Sequence, residues 1–211
     1  MRVPSGPSSQ EPRDLSDDYV AKYRLSHLNQ EDPQYRAGYW KLGVANSLLS
    51  DYRYLDVGCG TGGYFGLLSN ARKIVGIDKS AKMISAAKDL ARGSNYERRT
   101  GFHHGDFNSS LEDPNVKGQS FDLIRLGVFG SYEPLTVEVL RDAEKLLSSR
   151  GLILLNFSYS NLVIARTLNR DIVLTQRRLN RLLSASGHFN VLLDWHHRRG
   201  YAALLNRRFL H

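Results

Sequence analysis

A chain of 211 residues has room for one domain with a full core, and too few residues for two ordinary domains and a linker. With 41% hydrophobic and 24% charged residues it has an ordinary globular composition, which excludes disordered and fibrous classes. The net charge of +8 asks either for an anionic partner such as RNA or for a solvated basic face.

The opening "MRVPSGPSSQEPRDLSDD" is polar and rich in Pro and Ser. It reads as neither a signal peptide nor a membrane span, and no later apolar run is long enough to cross a bilayer. Residues 1–14 are expected to be a disordered tail and residues 15–211 a single domain. The lone cysteine, Cys59, leaves no internal disulfide and points to a reducing, cytoplasmic setting. Two stretches, "LSDDYVAKYRLSHL" and "PQYRAGYWKLGVANSLLS", carry apolar and aromatic residues at helical spacing, with Pro33 opening the second.

Strand and helix signals then alternate. "RYLDV" reads as a strand and "GGYFGLLSNA" as a helix; "KIVGID" is a strand and "SAKMISAAKDLAR" a helix with Ser80 as N-cap. "TGFHHGD" and "SFDLIRLGV" read as strands, and "LTVEVLRDAEKLLSSR" as an amphipathic helix ended by Gly151. "LILLNFS" is a buried strand and "TQRRLNRLLSASG" a helix stopped by Gly187. The end differs: "FNVLLDW" and "YAALLNRRF" are joined only by "HHRRG", too short for a crossover helix. That predicts an antiparallel hairpin on an otherwise parallel, doubly wound α/β sheet.

Gly58, Gly60 and Gly63 in "YLDVGCGTGGYFGLL" satisfy the spacing of a nucleotide-binding turn, where missing Cβ atoms let a ligand approach the backbone. Alone that pattern is weak. Asp78, twenty positions after Gly58, ends the next strand, where an acid can accept from both ribose hydroxyls. Asp56 lies two residues before Gly58, where nicotinamide-binding folds place an apolar residue. A carboxylate there is costly unless a cation or several donors satisfy it. A ligand with a charged amino-acid end and an adenosine end would meet both acids.

"LDVGCGTG" resembles the first motif of class I S-adenosylmethionine-dependent methyltransferases, and the resemblance extends over residues 53–157 and more weakly to the hairpin. It implies a seven-stranded sheet in the order 3-2-1-4-5-7-6 with strand 7 antiparallel, and S-adenosylmethionine as cofactor. By this resemblance Gly58, Gly60 and Gly62 line the methionine part, and Asp56 helps to hold its ammonium. Asp78 takes the ribose hydroxyls, while Lys79 and Met83 flank the adenine. Asp106 accepts from the adenine amino group with Phe107 beside the ring, and Leu126 and Gly127 pass beneath the sulfonium. "GLILLNFSYSNLVIARTL" resembles the stretch that small-molecule members carry as "lxxPN", with Ser158 in place of the proline.

Methyl transfer is an in-line displacement in which the protein mainly aligns and desolvates, and a base is needed only for a protonated nucleophile. Tyr132 and Tyr159, in the loops after strands 4 and 5, are the candidate bases. Tyr19, Tyr23, Tyr35, Tyr39 and Trp40 could form a lid, and Arg36 could meet the methionine carboxylate. His103–His104 and His196–His197 are adjacent pairs that point to opposite faces of a strand, so no metal site is expected. The loop "GVFGSYEP" lacks the [DN]-P-P-[YFW] of base amino-methylases, which favours a small-molecule acceptor. RNA is the alternative, carried by Arg166, Arg170, Arg177, Arg178, Arg181, Arg198, Arg199, Arg207 and Arg208. The rival outside methyl transfer is an NAD(P)-binding reductase; none of the eleven tyrosines has Lys four positions on, as the short-chain class requires.

Overall fold

The computed structural model describes residues 15–28, 33–127, 133–158, 176–197 and 200–207. Strands β1 (Tyr52–Val57), β2 (Ala71–Asp78), β3 (Thr100–His104), β4 (Phe121–Leu126), β5 (Leu147–Ser158), β6 (Phe189–His197) and β7 (Gly200–Arg207) form one sheet in the order β3-β2-β1-β4-β5-β7-β6. The first five run parallel, and β7 is antiparallel to both β5 and β6. Order and hairpin are those expected from the sequence.

Among the described residues the helices are α1 (Asp17–Leu28), α2 (Pro33–Leu48), α3 (Ala81–Ala91), the one-turn α4 (Phe107–Ser110), α5 (Val137–Leu146) and α6 (Gln176–Ser186). β1 and β4 are buried along almost their whole length because packed groups cover both faces of the sheet. Alternate residues feed two cores. Leu55, Val57, Ile124 and Leu126 join Leu140 of α5 and Leu179 of α6 on one side. Tyr52, Tyr54, Leu123 and Leu154 join Leu42 of α2, Ile84 of α3, Phe65 and Leu68 on the other. Asp56 and Arg125 are directly opposed in the β1–β4 register and therefore lie together on one face.

Three elements differ from expectation. The helix predicted over "GGYFGLLSNA" is only a 3-10 turn, Phe65–Leu67. Gly62, Gly63 and Gly66 give this stretch poor helical propensity, and β2 begins at Ala71. Asn70 closes the short crossover by donating from Nδ2 to the carbonyls of Asn46 and Leu49. The helix predicted to end at Gly151 stops at Leu146, and residues 147–150 belong to β5. Gly151 is no cap: it lies where the β4–β5 register shifts, and a Cβ there would stand 2.9 Å from the Phe121 carbonyl oxygen. Finally, α4 arises where only a strand end was expected, because Asp106 caps it by accepting from Ser109 N–H at 2.8 Å. The expected caps at Ser80 and Gly187 are present. The expected tail, residues 1–14, lies outside the described residues.

Candidate active site

The turn after β1 is stitched to the end of β2. Gly58 and Cys59 N–H groups both donate to the Ile77 carbonyl, at 2.8 and 2.9 Å, and Gly60 N–H donates to Asp78 Oδ2 at 2.8 Å. Gly58, Gly60 and Gly62 have φ of 79°, 55° and 68°, a left-handed backbone that side chains resist, so the choice of glycine is conformational before it is functional. Gly60 is also crowded: a Cβ there would stand 2.8 Å from Tyr23 Cε1 of α1. Tyr23 stacks with Tyr19, and Asp17 pairs with Lys82 of α3 at 3.0 Å, so α1 lies across the turn. The side chains of Tyr35, Arg36, Tyr39 and Trp40 lie outside the described residues.

Asp78 Oδ1 accepts from Ser80 N–H at 2.9 Å, so each carboxylate oxygen has one amide donor and capacity for another. Burial is the main cause that holds this carboxyl above its ordinary value, against the Ser80 and Gly60 amides; the charges of Asp56 and Glu133 add to the rise. Lys79 pairs with Glu133 at 2.7 Å, joining the end of β2 to the segment after β4. Met83 is buried in α3. Phe107 is buried under the sheet, and the Ser109 amide, more than any other group, holds Asp106 below its ordinary value. His103 faces Asp113 at 2.8 Å while His104 meets the Lys79 carbonyl, opposite directions as the strand geometry requires. Among the described residues no three His, Cys, Asp or Glu side chains converge as metal ligands do.

Asp56 is where sequence reasoning falls short. It is completely buried, and its Oδ1 accepts from Arg125 Nη1 at 2.7 Å. The guanidinium lies over the Tyr64 ring, 5.1 Å from its centroid. Its tip reaches Gly127, where a Cβ would stand 2.7 Å from Nη1. Burial opposes the charge on Arg125, but Asp56 outweighs it, with further help from Tyr54 and Tyr64, and the guanidinium stays protonated. Beside it, Lys41 of α2 is buried; burial first and the charge of Arg125 second pull its amine down to about 8. Asp56 Oδ2, the Tyr54 hydroxyl and Thr61 Oγ1 are buried without a hydrogen-bond partner of ordinary geometry among the described residues.

The site thus gathers Asp56, the glycines, Asp78, Lys79, Met83, Asp106 and Phe107 around the carboxyl ends of β1, β2 and β3. Leu126 is in the core on the α5 side, and Gly127 rather than Leu126 touches the polar cluster. The candidate bases Tyr132 and Tyr159 lie outside the described residues. Arg125, Tyr64, Lys41 and Glu133 were missed. For Arg125 a signal existed: one charge inside the apolar run "FDLIRL", in the strand expected beside Asp56.

A family model described as "Methyltransferase domain" matches residues 48–193, and the chain belongs to this methyltransferase family. No curated protein matches the chain. Among solved structures it is similar to the N-methyltransferase NodS from Bradyrhizobium japonicum WM9, with a TM-score of 0.64 and 16% identity over 84% of this chain and 98% of that one. It is similar also to magnesium protoporphyrin IX methyltransferase (ChlM) from Synechocystis PCC 6803 with bound SAM, with a TM-score of 0.60 and 18% identity over 93% and 86% of the two chains. A ribosomal protein L11 methylase from Lactobacillus delbrueckii subsp. bulgaricus gives 0.59 and 16% over 83% and 80%. These identities establish the shared fold. The acceptors named span small molecules and protein, so the fold is neutral about substrate. Among the described residues no helix is long and apolar enough to cross a membrane.

Proposed function

We propose that the chain is an S-adenosylmethionine-dependent methyltransferase acting on a small-molecule acceptor in the cytoplasm. The observation that carries this is Asp78: a half-buried carboxylate at the carboxyl end of β2, bonded to the glycine turn through Gly60 N–H and still able to accept on both oxygens. The residues fit the cofactor. Asp78 suits the two ribose hydroxyls, Met83 and Phe107 supply apolar surface for the adenine, and Asp56 Oδ2, beside the Tyr54 hydroxyl, is a buried acceptor that suits the ammonium. When bound, S-adenosylmethionine supplies a methyl group already activated by the sulfonium.

The protein's part is placement. The left-handed glycines bring the backbone against the ligand, and α1, through Tyr23, closes over the turn and limits water. Tyr132 and Tyr159 are the candidates to take a proton from an acceptor that carries one. The cover over Gly60 favours a small acceptor. Arg177 and Arg181 favour RNA only as a surface contact: they line a shallow pocket with Asn180 and Ser184 on α6, at the α5 side of the sheet.

Isothermal titration with S-adenosylmethionine, its demethylated product and NADH tests the cofactor. The first two should bind; binding of NADH alone would return the chain to the reductase class. Transfer of labelled methyl into metabolite pools and total RNA then tests the acceptor, and label in RNA would overturn the small-molecule reading.

A further inference from the structure

Asp56 was expected to meet an ammonium, yet its nearer partner is inside the protein. Arg125 occupies Oδ1 at 2.7 Å, and the two charges cancel. An arginine has five N–H donors, and one ion-pair bond does not exhaust them. Asp56 and the Tyr64 ring fix the guanidinium on two sides, which removes most of the entropy that would otherwise oppose its use as a receptor. Its tip lies against Gly127, at the carboxyl end of β4 and level with the glycine turn, since Gly127 N–H donates to the Val57 carbonyl at 2.9 Å.

Among the described side chains, a carboxylate arriving here meets few other sources of positive charge. The turn is not followed by a long helix but by a 3-10 turn of three residues, so the usual helix-end field is weak. The amides of Gly58, Cys59 and Gly60 already donate to Ile77 and Asp78. Among the described residues, the cations buried beside the turn are Arg125 and Lys41. Asp56 Oδ2 lies buried beside the Tyr54 hydroxyl and next to the oxygen that the guanidinium holds, so an acceptor and a donor array stand side by side.

We propose that Arg125, held in place by Asp56, receives the α-carboxylate of the cofactor, so that the buried pair reads the amino-acid end of the ligand as a unit. This rests on S-adenosylmethionine being the cofactor. It makes Arg125 the residue that discriminates the intact cofactor from one lacking the carboxylate.

The test is calorimetric binding of the full chain to S-adenosylmethionine, its decarboxylated form and 5′-methylthioadenosine. The wild type should bind the decarboxylated form about 10- to 100-fold more weakly than the intact one, the scale of hydrogen bonds to a charged group. Asp56→Asn with Arg125→Gln keeps shape and removes both charges, and should bring the two affinities together. Gly127→Ala, which leaves the pair's charges intact but presses on the guanidinium tip, should narrow the same gap and serves if the double variant does not fold. Equal wild-type affinities, or a gap unchanged in a folded variant, overturn the proposal. Equal wild-type affinities with a raised KM in Gly127→Ala for a carboxylated acceptor alone would move Arg125 to the acceptor, which also overturns it. If the wild type binds none of the three adenosyl compounds, the cofactor assignment itself fails and takes the proposal with it.

Discussion

Two acids at the turn do opposite things to their surroundings. Asp56 is neutralised inside the protein, and removing it strands a buried guanidinium. Breaking such a pair typically costs about 3–5 kcal/mol, whereas replacing both members can be nearly neutral. Asp56→Ala should therefore lose most of that amount in urea unfolding, and Asp56→Asn with Arg125→Gln much less; equal losses would show that the pair is not coupled. Asp78 is poised rather than satisfied. Between its ordinary and its raised value the folded chain keeps a proton that the unfolded chain has lost, so this group costs stability as pH rises through that window. Ribose hydroxyls prefer the charged form. Cofactor affinity should thus fall on acidification, starting at a higher pH than for an ordinary aspartate. Asp78→Asn should remove that dependence and weaken binding at neutral pH by about 10-fold or more. A pH profile identical to the wild type's would reject the ribose role.

The elements that shape the site are the short ones. The first crossover contributes a 3-10 turn, and α1 supplies the cover through one aromatic ring on Gly60. Gly60→Ala puts a Cβ both at φ 55° and against Tyr23, so it should lift α1 and reduce cofactor affinity about tenfold or more. Hydrogen exchange should show faster exchange in α1 with β1 and β4 still protected; unchanged protection of α1 would mean that Tyr23 does not hold the helix. At the other end of the sheet, Gly151→Ala meets the Phe121 carbonyl and Leu147, and should cost about 1–3 kcal/mol with cofactor affinity unchanged. A neutral result in urea unfolding would show that the register shift beside it can relax.

For the whole molecule the charge of +8 is the open term. Of the late arginines, Arg177 and Arg181 are exposed on α6, while Arg207 is committed to the Glu144 and Leu147 carbonyls, so the basic face is partly structural. Six phosphate contacts to a duplex would give a log–log slope of affinity against salt near ~−5. A surface that is merely solvated should show weak binding and no competition with methyl transfer. Turnover on a metabolite should therefore be insensitive to bulk tRNA at about 50 mM salt, well below the ionic strength that screens such contacts; strong inhibition by tRNA would favour the RNA reading.

What the sequence determined alone was whatever depends on local spacing. Periodicity and the five-residue link "HHRRG" were enough for the strand succession and the antiparallel hairpin, because so short a link permits only one connection. "LDVGCGTG" and the distance to Asp78 were enough for the turn and its acid, because both lie at the carboxyl ends of neighbouring strands. The missing helix after the turn and the early end of α5 were not legible, because glycine spacing and register shifts are settled by packing across the sheet. Above all, tertiary structure alone decided the partner of Asp56. Asp56 lies 69 positions from Arg125 in the sequence, and only the β1–β4 register brings the two side chains to the same face, where burial leaves each charge no better partner than the other.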